Sequence, residues 1–241
     1  VSASVLEDIA EGSHELLING HCKKSVYDYL LETRGLTPDT IKKFKIGYCS
    51  EEFERTINMD FYDGRSSSPV FKFPLNIRSR VIMPIYDDCG KLVSVATRPI
   101  GPGLPWWNTP FTKSAVLFGL NMARDATFSK NKIYVVEGYL DSLTLYQNGL
   151  YNVVATMGTR FTLAHIGLIS RYCRNVCFCF DSDLPKENHK LGAGQMARQR
   201  AMKLSSGYFD DISSILLPLK NDPDDFVKKN GLSKMLLLEE S

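Results

Sequence analysis

Glu137 follows an apolar run, Ile133-Tyr134-Val135-Val136, and precedes Gly138. A second apolar run, Asn175 to Phe180, ends in Asp181-Ser182-Asp183, and a third, Ile212 to Leu217, is followed by Asp222-Pro223-Asp224. Acids just past the carboxyl ends of neighbouring parallel strands converge on one edge of a sheet, the edge where open α/β sheets bind ligands. Carboxylates packed together repel and need a positive partner. A hard divalent cation with oxygen ligands meets that need, and Mg2+ usually recruits phosphates with it. The chemistry this points to is metal-assisted phosphoryl transfer. Asp181 and Asp183 are spaced i, i+2, which puts both side chains on one side of an extended backbone. Each acid also has a plainer use. Glu137 or Asp141 alone would suit a helix N-terminus; Asp181-Ser182-Asp183 would suit an Asp-rich turn; Asp222 before Pro223 would suit an N-cap. None of these uses explains acids at three strand ends together.

The elements that must position these residues alternate from Lys132 onward. Strand 133–136 precedes helix 140–148, strand 152–156 precedes helix 163–171, strand 176–180 precedes a helix over 195–204, and strand 212–217 precedes helix 224–230, which Gly231 ends. Four β-α units with near-continuous apolar strands predict a parallel sheet covered by helices on both faces. Cys177 and Cys179, two apart in one strand, are expected as small core hydrophobes.

Upstream the pattern differs. Residues 2–43 read as helical, with Val26, Tyr29, Leu30 and Thr33 forming a stripe. Gly35 closes that helix, and Pro38 opens a short one with Thr37 as its N-cap. Asp63 to Pro69 reads as a surface loop. Arg80–Tyr86 and Lys91–Arg98 flank Asp87-Asp88-Cys89-Gly90 as a hairpin. Residues 101–110, rich in proline and holding Trp106 and Trp107, are expected to form a loop with no regular element. The fold class is therefore α/β: an α+β subdomain over 1–130, a parallel-sheet Rossmann-like subdomain over 131–231, and the start of a helical segment over 232–241.

With 241 residues and 44% hydrophobic content, the chain is long enough for one large domain or two small ones. A net charge of +2 is too mild for a generally basic surface, so any phosphate-binding surface must be local. The six cysteines include no pair of Cys-x-x-Cys motifs, so no structural zinc is expected in this chain. His14, His21 and Cys22 fall short of a metal set. No signal peptide and no membrane-length apolar run is present, which fits the cytoplasm. The start at Val1 and the apolar stretch near the end fit a piece of a longer protein.

Val136-Glu137-Gly138-Tyr139-Leu140-Asp141, Asp181-Ser182-Asp183 and Asp222-Pro223-Asp224 resemble the Toprim domain of bacterial-type primases, topoisomerases and some nucleases. Further segments narrow the resemblance. Tyr29 to Leu36 with Phe44-Lys45-Ile46-Gly47-Tyr48, Arg78-Ser79-Arg80 leading into Met83-Pro84-Ile85, Arg98, Leu117-Phe118-Gly119-Leu120 and Ala155 to Thr159 are similar to the RNA-polymerizing core of DnaG-type DNA primases. The resemblance runs from about residue 10 to 231. It implies that Glu137, Asp181 and Asp183 are catalytic and hold Mg2+, with Mn2+ able to substitute, and that Asp141, Asp222 and Asp224 stand in the same metal centre. It implies that Arg78, Arg80 and Arg98 face the same cleft and, with Asn108 and Lys113, bind nucleotide and DNA. Arginine suits phosphate because its planar fork donates two bonds at once, and Trp106 and Trp107 suit either stacking on template bases or burial as structural residues.

The implied partners are a single-stranded DNA template, ribonucleoside triphosphates, a replicative helicase and a zinc-binding module that this chain lacks. Two departures stand out. Pro105-Trp106-Trp107-Asn108 carries tryptophan where the family has lysine before its aromatic, and 184–191 interrupts the run between Asp183 and Gly192. That insertion is read as a polar loop near the metals, without His189 as a ligand. The competing readings are a Toprim nuclease using the same acids, and a non-catalytic single-stranded-DNA-binding subunit. The primase-like N-terminal segments argue against the first and the intact acids against the second. A topoisomerase would need a further domain with a nucleophilic tyrosine.

Overall fold

The computed structural model describes residues 3–20, 24–53, 80–100, 106–158, 160–185 and 191–240. The chain divides into two compact units, Val1–Ile85 with Leu92–Phe111, and Tyr86–Lys91 with Thr112–Ser241.

In the first unit, helix α1 (Ala3–Ile18) buries Val5, Leu6, Ile9, Ala10, Ser13 and Leu17, the i, i+4 face that amphipathic spacing demands. This face packs on strand β1 (Gly47–Cys49). Gly47 is required there: a Cβ would lie 2.2 Å from the Ser13 hydroxyl. The expected long helix is broken. Helix α2 (Lys24–Asp28) runs into a π-helical turn, Tyr29–Thr33, and Gly35 turns the chain with φ 62°. Helix α3 (Pro38–Lys43) starts at its proline, and Thr37 caps it by accepting from the Thr40 amide, as the sequence predicts. The sheet runs β1-β2-β3-β4, with β2 at Arg80–Tyr86, β3 at Leu92–Pro99 and β4 at Trp107–Asn108. The hairpin appears where the sequence places it. The tryptophan segment, expected to be irregular, is instead a short strand antiparallel to β3. Thr109 fastens it, its hydroxyl 2.6 Å from Ser94 and accepting from the Val95 amide. Residues 63–69 and the histidine and cysteine at 21 and 22 lie outside the described residues.

The second unit opens with helix α4 (Leu120–Lys130), which the sequence reading lacked, and continues as β5 (Lys132–Val136), α5 (Tyr139–Gln147), β6 (Val153–Ala155), α6 (Leu163–Ile169), β7 (Asn175–Phe178), α7 (Ala193–Ser205), β8 (Asp211–Ile215) and α8 (Pro223–Asn230). The strand order is β6-β5-β7-β8-β9. The first four strands are parallel, and β9 (Glu239–Glu240) is antiparallel to β8. Beyond residue 231 only one turn, α9 (Leu232–Leu236), is helical; the chain then becomes the edge strand β9 rather than continuing as a helix.

Ile133, Val135, Val154, Val176 and Phe178 meet Leu120, Ala123, Ile166, Ile169 and Ala201 in one core. Fully burying such side chains contributes about 1.5–3 kcal/mol each. Tyr134, Val136, Cys177 and Cys179 are buried as well, so the strands are covered on both faces. Burial pushes the Cys177 thiol up to about 12, as expected of a core hydrophobe. From β5 the chain moves to β6 on one side and then crosses to β7 on the other. The sheet's topological switch therefore lies where β5 and β7 end.

Candidate metal and phosphate site

Glu137 leaves the end of β5 and Asp181 follows β7, so both stand at that switch. The Asp181 amide donates to Glu137 Oε1 at 3.3 Å. The Ser182 amide donates to the Asn221 carbonyl at 2.9 Å, and the Lys220 amide donates to the Ser182 carbonyl at 2.7 Å. This short ladder brings the loop after β8, and Asp222, alongside Asp181. The result is a cleft of about 320 Å³ lined by Asp181, Ser182, Asp183, Leu184, Lys220, Asn221 and Asp222.

The N-terminus of α7 closes down on the same acids. Its Gly194 amide donates to Asp183 Oδ2 at 3.3 Å, and Gln195 bonds Ser182 Oγ at 3.1 Å. A Cβ on Gly194 would lie 2.2 Å from the Asp181 carbonyl and 2.9 Å from Glu137 Oε1. Only glycine permits that approach.

Lys220 lines the cleft and the Lys228 charge favours ionised Asp222, but neither ammonium is bonded to the acids of this site. Among the described residues no Lys or Arg forms an ion pair with Glu137, Asp181, Asp183 or Asp222. Burial first, then repulsion from Glu137, Asp222 and Asp183, pushes the Asp181 carboxyl up to about 7. Burial raises Glu137, with Asp183 adding repulsion against the relief of the Asp181 amide. Burial also raises Asp222, partly offset by the Asp225 amide it caps at 2.6 Å. Asp181 Oδ1 is buried with no hydrogen-bond partner. A buried carboxylate oxygen without a donor carries a desolvation penalty of kcal/mol order, and a divalent cation would remove it. The donor set, carboxylate oxygens only, suits Mg2+ or Mn2+.

The structure divides the remaining predicted acids from this group. Asp141 is buried. Its Oδ2 accepts from the Gly138 amide at 3.0 Å and its Oδ1 from the Asp224 amide at 3.2 Å. Asp224 accepts from Thr144 Oγ1 and pairs with Lys228 Nζ at 2.7 Å. These two carboxylates join α5 to α8; neither lines the cleft, and nor does Glu137, which reaches it through the Asp181 amide. Burial and the nearby charges of Asp181 and Asp222 hold Asp141 well above the ordinary carboxylate range.

Among the described residues, three metal-ligand side chains lie within 4.8 Å of one another only at Asp87, Asp88 and Cys89 in the β2–β3 turn. Those acids are already used. Asp87 accepts from the Cys89 and Lys91 amides, and Asp88 pairs with Arg171 at 2.8 Å and accepts from Tyr172 Oη at 2.7 Å. The cleft acids are spread more widely, over two strand ends and the 220–222 loop.

The predicted basic residues fall in both units. In the first, Arg80 donates to Thr97 Oγ1 at 3.1 Å. Arg98 lies over the Trp106 ring, 5.7 Å from its centroid, with its Nε buried and unpartnered. Burial and the nearby Arg34 guanidinium lower the Arg98 pKa. Arg34 itself donates to Tyr29 Oη at 2.7 Å. Two guanidiniums thus stand near each other with no carboxylate paired to either among the described residues, an arrangement that suits an anion. Asn108 sits in β4 opposite Ala96. In the second unit Lys113 donates to the Met157 carbonyl at 3.4 Å. Arg78, and most of the inserted loop with His189, lie outside the described residues.

Sequence reasoning missed three residues. Arg34 gave no local signal, because its neighbour Arg98 is distant in sequence. Lys220 lines the cleft with φ 65°, a left-handed conformation that a lysine code does not announce. Gly194 was visible as part of Gly192-Ala193-Gly194 before a helix, but its close approach to the acids was not.

Two family models match. Residues 13–124 match the DNA primase catalytic core, N-terminal domain, and residues 134–227 match the Toprim-like family. The chain is 31% identical over 228 residues to a DNA primase of Clostridium acetobutylicum, covering 88% of this chain and 37% of that protein. It thus spans little more than a third of that relative's length. Its fold superposes on the zinc-binding and RNA polymerase domains of the Aquifex aeolicus primase with a TM-score of 0.80 at 25% identity, covering 99% of this chain and 61% of that one. It also matches a DnaG primase catalytic domain bound to single-stranded DNA with a TM-score of 0.71 at 27% identity, covering 97% and 80%.

Proposed function

The chain belongs to the catalytic cores of DnaG-type DNA primases, and from that membership we propose that it joins ribonucleoside triphosphates into short RNA primers on single-stranded DNA. The observation that carries the reading is the meeting of Glu137, Asp181 and Asp183 at the sheet's switch point with no ion pair to any of them among the described residues. A retired site would have no physical reason to keep buried carboxylates repelling one another.

Glu137, Asp181, Asp183 and Asp222 are the residues that would hold Mg2+, or Mn2+ in its place. Bound there, the cation supplies positive charge to the attacking and leaving oxygens of an in-line displacement. Asp141 and Asp224 act one step further out, fixing the strand ends through α5 and α8. The α7 amide at Gly194 orients Asp183. Arg34 and Arg98, which pair with no carboxylate among the described residues, present guanidiniums for phosphate, Arg78 and Arg80 add further basic groups for nucleotide and DNA, and Trp106 offers a ring for a base, worth about 1–3 kcal/mol where stacking occurs. Lys113 supplies an ammonium beside the Glu137 strand end for the nucleotide's phosphates, and Asn108 a neutral contact to DNA. The template is single-stranded DNA, the ligand of one structural neighbour.

A zinc-binding module and a replicative helicase complete the expected set of partners. No helix among the described residues is long and apolar enough to cross a membrane, and a place in the replisome would put the protein in the cytoplasm.

Labelled ribonucleotides, single-stranded DNA and Mg2+ or Mn2+ test the reading, with Asp181→Ala as control and a zinc-binding module and helicase added in trans. Short RNA lost in the variant supports it. DNA cut instead of copied replaces it with the nuclease reading. DNA bound with neither reaction, even with the added proteins, leaves a binding subunit.

A further inference from the structure

His165 is fully buried on α6 and touches none of the acids. Its Nε2 lies 3.2 Å from the carbonyl oxygen of Lys113. One turn earlier, Thr162 caps α6 by accepting from the His165 amide at 3.3 Å and donates its hydroxyl to the Ser114 carbonyl at 3.4 Å. The first turn of α6 therefore grips two consecutive carbonyls of the 3-10 turn Lys113–Ala115.

The ammonium at the other end of Lys113 donates to the Met157 carbonyl at 3.4 Å. Met157 and the following Gly158 are both left-handed, with φ 60° and 72°. A non-glycine residue in that conformation is uncommon and often accompanies a functional turn. The Gly158 amide in turn donates to the Glu137 carbonyl at 3.2 Å. One continuous path of bonds thus joins His165, the Lys113 backbone, the Lys113 ammonium, the Met157–Gly158 turn and the strand end that carries Glu137.

A carbonyl acceptor requires that Nε2 carry the hydrogen. Burial favours the neutral ring and outweighs the Lys113 and Val116 backbone groups, which favour the charged one, and Nδ1 is buried without a hydrogen-bond partner. The ring packs against Phe161 with centroids 5.6 Å apart, which holds its plane.

We propose that His165 is a positioning residue for Lys113: its Nε2–H fixes the backbone from which the ammonium reaches the Met157–Gly158 turn beside Glu137. This rests on the reading of Lys113 as a ligand for the incoming nucleotide's phosphates. A lysine ammonium on a four-carbon stem is a flexible point charge, and holding its root reduces the freedom lost when phosphate binds.

The test compares the full chain with Lys113→Ala, His165→Leu, His165→Gln, His165→Asn and the double variant His165→Leu/Lys113→Ala. The readouts are KM and kcat for primer synthesis, direct titration with ATP in the presence of Mg2+, and melting temperature. Glutamine carries its amide nitrogen near the Nε2 position and asparagine near Nδ1, so only glutamine reaches the carbonyl. The expected result is a KM and ATP dissociation constant raised about tenfold in His165→Leu and His165→Asn, a loss of about 1.4 kcal/mol. His165→Gln should return most of it, and the double variant should be no weaker than Lys113→Ala alone. The melting temperature does not decide, since glutamine and asparagine report the difference at matched burial. Lys113→Ala impaired while His165→Asn binds ATP as the unaltered chain does would overturn the positioning role and leave that of Lys113 standing. Lys113→Ala with unaltered ATP affinity would overturn both. Normal ATP binding without primer synthesis would count against the primase reading alone.

Discussion

Asp88, Asp224 and Glu239 each have a donor or counter-charge bonded to them, whereas Glu137, Asp181 and Asp222, in the same unit, form no ion pair among the described residues. Asp88 holds Arg171 and Tyr172, Asp224 holds Lys228, and Glu239 accepts from Lys132, Ser213 and Tyr134. Glu239 is accordingly drawn below the ordinary carboxylate range by its donors despite its burial. Asp181 is pushed the other way. The difference separates acids that hold the fold together from acids that no ion pair among the described residues neutralises.

The largest expected effect is on catalysis. Asp181→Ala and Glu137→Gln should lower primer synthesis by more than about a hundredfold, because ligands of the metal are removed. The same variants should melt at or above the temperature of the unaltered chain when metal is withheld, since repulsion is relieved. A variant that lost stability and kept activity would reverse the division drawn above.

Glu239→Ala should do the opposite. It strands Lys132, half-buried, and frees β9, at a cost of about 1–3 kcal/mol. Calorimetry should show a lower melting temperature, and activity per folded molecule should be unchanged. An unaltered melting temperature would mean that the network over the sheet contributes nothing.

pH and metal sharpen the contrast further. The folded-state pKa of Asp181, about 7, lies above its ordinary value of 3.8, so the folded chain binds more protons than the unfolded chain between those values. The contribution of Asp181 to stability therefore falls as pH rises from about 4 to about 7. Without metal, melting curves of wild type and Asp181→Asn should converge at the acid end of that window, with the variant the more stable above it. Mg2+ at a hundred times its Kd should raise wild-type stability by about 2.7 kcal/mol at neutral pH and the variant's by much less. Parallel curves in both would remove the electrostatic argument.

The smallest effect concerns Lys220. Lys220→Gly relieves a left-handed backbone and should add up to about 1 kcal/mol, readable as a small rise in chemical-denaturation midpoint. A lower midpoint would show that the lysine side chain secures the loop.

Much of this was legible in the sequence because it is written locally. Thr37 and Pro38 announce a helix start, Asp87 to Gly90 a turn, and apolar runs ending in acids mark the strand ends at Glu137 and Asp181. What was not legible depends on distant partners. Glu239 and Glu240 fall in the stretch expected to begin a helix, and pairing with Ser214 and Ile215, with Lys132, Tyr134 and Ser213 on the Glu239 carboxylate, makes them a strand. Trp107 reads as loop because the proline run around it masks its pairing with Thr97. The family resemblance places Asp141 and Asp224 at the metal centre, directly on the metal or one step out. The amide donors and Lys228 that engage them are predicted by no spacing rule.

The central claim is that the acids at the sheet's switch point are a cation site, and Mn2+ titration followed by electron paramagnetic resonance tests it most directly. The account predicts saturable binding by the unaltered chain, weakened at least about tenfold in Asp181→Asn and unchanged in Glu239→Gln. Equal Mn2+ affinity in the unaltered chain and Asp181→Asn would contradict it.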